Sequence, residues 1–387
     1  MSNNPLCELT NLGQSVWYDN IERKLVTSGE LRRLIEEDCL RGVTSNPAIF
    51  EKAISGSDLY EEQLREMALA GKSANDIYEA IAVTDVRMAA DELATVYERT
   101  GGLDGYVSLE CSPLLANDTQ GTIEEARRLW KWLDRKNVMI KIPGTPEGIP
   151  AIEQCIYDGI NINITLLFSL TSHEDTMEAY IRGLERRVKD GLPVDNISSV
   201  ASFFVSRIDT AADKIIEERI KQSTSEAEKA ELQSLLGRIA IANAKMAYQR
   251  YKEVFHGERF AALKARGARV QRPLWASTST KNPAYKDIYY VEALMGPETV
   301  DTMPPATLEA FRDHGQARVT IEDGLEAEAA RLALLERAGI SLDEITTQVL
   351  NEGVQKFIEP FEKLLAATES RCKEIASEGK PRGSAAD

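Results

Sequence analysis

A chain of 387 residues, 43% of them hydrophobic, can bury a substantial core as one large domain or two. Its net charge of −16 and pI near 4.9 argue against nucleic acid or an anionic membrane as the main partner, and leave room for a phosphorylated substrate only where basic residues gather against the global field. No apolar run approaches the ~20 residues of a membrane helix, and the polar start Met1-Ser-Asn-Asn does not read as a signal peptide.

In chain order, Ser15 to Asp19 reads as a short strand ending in an acid. Thr27-Ser-Gly-Glu30 predicts a capping box ahead of a helix whose buried stripe is Leu31, Leu34 and Ile35. Leu40 to Thr44 is a second strand running into Ser45-Asn46-Pro47. Helical patterns follow from about Pro47 and again from Ser73, where Asp76 completes a capping signature. Gly105 to Glu110 is the third strand, and Thr122-Ile-Glu-Glu125 predicts the cap of a helix with Ala126, Leu129, Trp130 and Leu133 inward. Val138 to Thr145 is a fourth, apolar strand with Lys141 set into it, and Thr145-Pro146 predicts the next helix start.

The fifth strand, Ile160 to Phe168, alternates at a period of two. Ile160, Ile162, Ile164 and Leu166 share one face; Asn161, Asn163 and Thr165 share the other. A strand flanked by helices is covered on both sides, so the amides and the hydroxyl are expected to face a closed interior. Thr171-Ser-His-Glu174 predicts the following helix. Ser199 to Phe204 is a sixth strand, Val270 to Ser277 a seventh and Thr299 to Met303 an eighth, the last meeting Pro304-Pro305 and a helix to His314. About 207–266 reads as a helical insertion broken near Ser223 and Gly257. From about Thr320 the chain is acidic and helical, over Leu325 to Ala338 and about Leu342 to Ile375.

Strands alternating with helices and lacking hairpin signatures predict an α/β fold, a (β/α)8 TIM barrel. A doubly wound sheet is the alternative, without a G-x-G-x-x-G or P-loop to support it. The expected layout is a catalytic barrel over 1–320, helices over 321–378 packed on it, and a disordered tail over 379–387. Those last helices either close over the barrel mouth or shield its flank. Cys7, Cys39, Cys111, Cys155 and Cys372 are odd in number and form no C-x-x-C pair, which predicts free thiols in a reducing cytosol and a cytoplasmic protein. His173, His256 and His314 lack metal-ligand spacing, so no metal is expected.

In a parallel barrel, reactive groups gather at the C-terminal strand ends. Here those ends carry Asp19, Asn46, Glu110, Lys141, Asn163 with Thr165, Ser202 with Phe204 and Arg207, and Ser277 with Lys281. Singly, each has an ordinary role: a lysine stem covering apolar surface, carboxylates capping helices, an arginine on a helix surface. Together they serve one chemistry. A lysine attacks a carbonyl only when neutral, which its reference pKa of ~10.4 forbids at neutral pH unless burial or another cation lowers it. Imine formation and carbon–carbon cleavage also need a proton donor and acceptor beside it, for which Glu110 and Asp19 are placed.

On these residues the chain resembles the transaldolase family, Schiff-base-forming transferases of the pentose phosphate pathway, in a longer bacterial-type form. The resemblance spans roughly Ser15 to His314. Its specific pieces are Gly42-Val-Thr-Ser-Asn-Pro47, Val138-Met-Ile-Lys-Ile-Pro143, Gly159-Ile-Asn-Ile-Asn-Ile-Thr-Leu-Leu-Phe168 and Ser202-Phe-Phe-Val-Ser-Arg207. It implies transfer of dihydroxyacetone from sedoheptulose 7-phosphate to glyceraldehyde 3-phosphate, giving erythrose 4-phosphate and fructose 6-phosphate. It also implies sugar phosphates as partners, no cofactor, and a monomer or homodimer. Carried over by position, Lys141 is the Schiff-base lysine, Glu110 and Thr165 hold a catalytic water, and Asp19 is the acid/base of cleavage. Asn46 and Asn163 bind the dihydroxyacetone hydroxyls, with Ser202 and Arg207 at the hydroxyl and phosphate end.

Many relatives place an arginine soon after Ala-Ser on the seventh strand. Here Ala276-Ser277 is followed by Lys281, the expected phosphate cation, which binds as a point charge without arginine's fork. Fructose-6-phosphate aldolase, the rival within the resemblance, typically has glutamine and tyrosine where this chain has Glu110 and Phe204. A barrel that only binds sugar phosphates is the non-catalytic alternative.

Overall fold

The computed structural model describes residues 4–378; the predicted disordered tail over 379–387 lies outside them. Eight parallel strands close in sequence order: β1 Gln14–Tyr18, β2 Gly42–Val43, β3 Tyr106–Glu110, β4 Val138–Pro143, β5 Ile162–Leu167, β6 Ser199–Phe204, β7 Arg272–Ala276 and β8 Thr299–Met303, with β8 paired to β1. This is the expected (β/α)8 barrel. Every strand residue is buried, as the double covering by helices requires.

The interior is closed at its lower end by a connected polar network. Asp104 accepts from Ser15 Oγ at 2.8 Å and from Trp17 Nε1 at 3.4 Å, and pairs with Arg272 at 2.8 Å. A buried charge pair is tolerable when its remaining donors and acceptors are filled, as here. Trp17 lies so close to β2 that a Cβ at Gly42 would sit 2.5 Å from its ring, which is why glycine occupies that position.

Between β6 and β7 the chain forms the helices Ser206–Gln222, Glu226–Gln233, Ile239–Phe255 and Glu258–Lys264. After β8 come Pro305–His314, Leu325–Arg337 and the long C-terminal helix Leu342–Glu378. This last helix packs against Pro47–Ser55, Glu61–Leu69 and Ala74–Arg99 and sends Phe357, Phe361 and Leu364 into the main core. No helix among the described residues is long and apolar enough to cross a membrane.

Several predicted helix starts move to a nearer acceptor. The Ser73–Asp76 capping box forms as expected. Thr27 instead ends the helix Arg23–Thr27, its hydroxyl donating to the Arg23 carbonyl, and Glu30–Glu37 starts after Gly29 at φ 80°. Thr122 lies inside Thr119–Leu133, capped by Asp118; the helix after β5 is Leu170–Lys189, capped by Ser169. The helix after β4 begins at Gly148, whose N–H is accepted by Thr145 Oγ1. In each case competing Ser, Thr or Asp side chains fit the pattern at neighbouring positions, and packing of the apolar face selects one.

The strand alternation predicted through Leu166 stops at Thr165. The β5–β6 register shifts between Ile164 and Leu167, and Leu166 takes φ 59°. Such a bulge re-aims side chains at a barrel rim.

The expected free thiols are corrected at one pair. Cys7 and Cys39 are joined as a disulfide, tying the helix Pro5–Asn11 to the turn before β2; Cys111, Cys155 and Cys372 are free. The pair is separated by 32 residues and carries no local spacing signature, so only folding brings it together. Closing a loop of that size stabilises by about 3–4 kcal/mol through the unfolded chain's entropy. Thiol titration in denaturant without reductant should therefore find Cys111, Cys155 and Cys372 reactive, with Cys7 and Cys39 joining only after reduction and the melting temperature falling on reduction. Five reactive thiols before reduction would remove the bridge.

Candidate active site

At the C-terminal end of the barrel lies a cavity of about 190 Å³. Lys141, Asp19, Asn46, Ser202, Phe204, Arg207, Ser277 and Lys281 all line it. Glu110, Asn163 and Thr165 do not line it: they are buried in the barrel wall beneath.

The pairing of strands sets this arrangement. Glu110 on β3 is the register partner of Lys141 on β4, which in turn is the partner of Asn163 on β5. Lys141 Nζ lies 3.3 Å from Glu110 Oε2 and donates to the Ser45 carbonyl at 3.0 Å, with both side chains about 5% exposed or less. Asn163 bridges the interior, its amide donating to Ser108 Oγ at 2.9 Å and its oxygen accepting from Ser202 Oγ at 2.6 Å. The polar face of β5 is thus inward, as its alternation predicted, but the Asn163 amide is engaged by β3 and its oxygen by β6. Asn46 caps the helix Pro47–Ser55, its oxygen accepting from the Ile49 N–H at 3.0 Å, which leaves its amide nitrogen for the cavity.

Burial shapes the ionisation. It lifts the Glu110 carboxyl from its ordinary 4.5 to about 7, against the opposing pull of Lys141. It raises Asp19 as well, against Lys141, a hydrogen bond from Thr44 Oγ1 at 2.7 Å, and the charges of Arg207 and Lys281. Arg207 is shifted down by burial, and its Nη1 is buried with no hydrogen-bond partner among the described residues. Its guanidinium lies 5.2 Å from the Phe204 ring and 5.9 Å from that of Phe357. Lys281 is shifted down by partial burial and by Arg207, and donates to Ser279 Oγ at 2.6 Å. Ser277 holds φ 56°, a left-handed backbone unusual for serine, and its hydroxyl meets Ser206 Oγ at 2.9 Å. Thr165 Oγ1 is buried without a hydrogen-bonded protein partner, and Glu110 Oε2 is buried with the Lys141 amine 3.3 Å away.

Sequence reasoning missed several residues of this site. Thr44 joins Asp19 to Thr302, 2.6 Å from its hydroxyl; both sit on barrel-facing positions of β2 and β8 ends, a parity that the short strands left hard to read. Phe357 comes from the C-terminal helix and places its ring 5.6 Å from Lys141 Nζ. No local motif marks it. The helix therefore reaches over the mouth as well as packing along the flank.

What this arrangement can do is bounded by its groups: a buried amine, two carboxyls of raised pKa, amides and hydroxyls, and two cations at one rim. These suit covalent attack on a carbonyl with proton transfers, in a compound carrying an anionic end.

Residues 16–368 match the family described as transaldolase/fructose-6-phosphate aldolase. The chain is 48% identical over 377 residues to a protein of Trichodesmium erythraeum named transaldolase, covering 97% of this chain and 99% of that one. It is 46% identical to transaldolase 2 of a Nostoc species, over 96% of this chain and 99% of the relative, and 46% identical to transaldolase 1 of Streptomyces avermitilis, over 96% of each.

The raised Glu110 value carries a stability consequence. A carboxyl whose folded pKa exceeds its unfolded one stabilises fully below the unfolded value, and that contribution is lost as pH rises through the folded one. Between about pH 4.5 and 7 the wild type should lose on the order of 3 kcal/mol that Glu110→Gln keeps. Urea unfolding of both proteins at pH 5 and pH 8 measures this, and parallel pH slopes would mean Glu110 ionises as in water.

Proposed function

The chain belongs to the transaldolase/fructose-6-phosphate aldolase family, and we infer that its activity is that of a transaldolase working through an imine at Lys141. The donor is sedoheptulose 7-phosphate, the acceptor glyceraldehyde 3-phosphate. The observation that carries this is the amine of Lys141, buried 3.3 Å from a carboxyl and opening on a cavity that also holds Asp19 and Arg207.

The Lys141 amine adds to the ketose carbonyl carbon. The carbinolamine then loses water, and Glu110 with Thr165 handles the proton and the water: the Glu110 carboxyl lies 3.3 Å from the amine, and the buried Thr165 hydroxyl has no hydrogen-bonded protein partner. A pKa near 7 lets Glu110 give and take a proton at neutral pH. Asp19 removes the proton from the hydroxyl on the second carbon from the imine carbon; that hydroxyl becomes the aldehyde as the bond from its carbon to the carbon beside the imine breaks, and the electron pair forms the enamine. The aldose phosphate leaves and an enamine of dihydroxyacetone stays on Lys141. The enamine carbon attacks the acceptor aldehyde, Asp19 returns its proton to the new hydroxyl, and water releases fructose 6-phosphate and the free amine. Asn46 holds a dihydroxyacetone hydroxyl and Ser202 a further one, while Asn163, beneath the cavity, orients Ser202 through the 2.6 Å bond from its hydroxyl. Arg207, with its unpartnered Nη1, and Lys281 neutralise the phosphate, and Ser277 lies at the same rim.

Phosphorylated sugars are charged and stay where they are made, which supports a cytoplasmic setting better than the cysteine count, whose premise the Cys7–Cys39 bridge removes. Within the family, release of free dihydroxyacetone is the rival outcome. Phe204 favours transfer, because a ring without a hydroxyl supplies no proton to the enamine.

Borohydride reduction with fructose 6-phosphate present should fix added mass on the Lys141 peptide. Lys141→Arg should fold yet lose both labelling and activity, since a guanidinium stays protonated. Retained activity would move the nucleophile elsewhere. Phe204→Tyr should raise dihydroxyacetone release relative to transfer; an unchanged product ratio would remove the role given to this ring.

A further inference from the structure

We propose that Phe357 decides whether the enamine on Lys141 is transferred or released, by denying water access to it. This rests on the imine chemistry just described and adds a residue from outside the barrel to it.

The C-terminal helix presents one face to the mouth. Gly353, Phe357 and Phe361 are spaced four apart and so share that face. Phe361 anchors it, edge-on to Tyr78 at 5.3 Å, and Tyr78 in turn meets Phe50 at 5.9 Å. Gly353 sets the approach. A Cβ there would lie 3.0 Å from a Leu166 methyl, 3.3 Å from Arg207 Nη1 and 3.6 Å from Phe168. A helix-interior glycine costs about 1 kcal/mol relative to alanine, and here its lack of a side chain lets the helix rest on the rim.

Between these two contacts Phe357, 5% exposed, lies over the amine. With Phe204, whose ring also lies against Arg207, it makes an apolar wall of the cavity. That wall bears on a choice between two balanced steps. In release, the enamine carbon takes a proton from water, a second water oxygen adds to the iminium carbon, and the carbon–nitrogen bond breaks to give dihydroxyacetone and the Lys141 amine. In transfer, the same carbon bonds the aldehyde carbon while the aldehyde oxygen takes the Asp19 proton. Release needs water at the carbon before an aldehyde arrives. A phenyl ring beside the nitrogen offers no labile proton and occupies the approach. The bulged Leu166 backbone supports this cover, since its side chain is what the helix rests on at Gly353.

The test compares Phe357→Ser with Phe357→Leu, using fructose 6-phosphate with and without an acceptor aldehyde. The ratio of free dihydroxyacetone to transferred product does not depend on how much enzyme is folded. Phe357→Ser should raise it by about tenfold or more, and Phe357→Leu, which keeps an apolar cover, should stay near wild type. A second readout needs no cleavage: with dihydroxyacetone alone in deuterium oxide, exchange at its carbon should be faster relative to imine trapping in the serine variant. A serine ratio and exchange equal to wild type, with Lys141 still labelled by borohydride, would overturn the role of Phe357. Absence of labelling on Lys141 in the wild type would instead overturn the imine chemistry beneath it.

Discussion

Lys141 lies 3.3 Å from the Glu110 carboxyl and donates to the Ser45 carbonyl, almost wholly out of water. Removing an amine and a carboxyl from solvent is expensive, and their attraction offsets it only with good geometry and filled lone pairs. Here burial raises the carboxyl to about 7 even with the amine beside it. The pair is therefore held as a reactive arrangement rather than a stabilising one. Much of the upper barrel follows from it. Asp19 and Arg207 carry charges that the same enclosure perturbs, upward for the acid and downward for the guanidinium. Each is felt by the others across the cavity, so changing one alters the proton affinity of the rest.

The lower barrel shows the contrasting case. Asp104 and Arg272 are as buried as the upper pair, but Ser15, Trp17 and the Leu103 carbonyl fill their remaining valences. The Asp104 and Arg272 groups accordingly close the cylinder without a cavity. One end of the barrel satisfies its polar atoms among themselves. At the other end Arg207 Nη1 and Thr165 Oγ1, at or just beneath the cavity, are left for a ligand or water to satisfy.

The barrel itself was legible because its strands are bounded by strong signals. β6 and β8 have the limits their sequences predict, Ser199–Phe204 and Thr299–Met303, and β4 starts at Val138 as expected but ends at Pro143, two residues early. The Asn163 face was legible because strict alternation with isoleucine fits a strand and neither a turn nor a helix. Helix starts were less so, since caps compete over a few residues: Ser169 takes the role expected of Thr171. The disulfide was hidden because Cys7 and Cys39 meet only through the fold. Phe357 was hidden for the same reason. On an amphipathic helix a phenylalanine reads as core, and only the path of that helix makes it a neighbour of Lys141.

That path depends on contacts of different kinds made in sequence. The bulge after Thr165 turns the backbone so that Leu166 meets the helix at Gly353. Thr165 itself stays in the wall, its carbonyl accepting from the Gly144 N–H at 2.7 Å. A regular β5 would carry the alternation on and place residue 166 on the face of Ile164, away from the mouth. The left-handed Leu166, a conformation costing about 1–2 kcal/mol for such a residue, thus joins the strand that carries Asn163 and Thr165 to the helix that carries Phe357. The left-handed turn in the barrel wall and the closure of its mouth meet in one contact, Leu166 against the helix at Gly353.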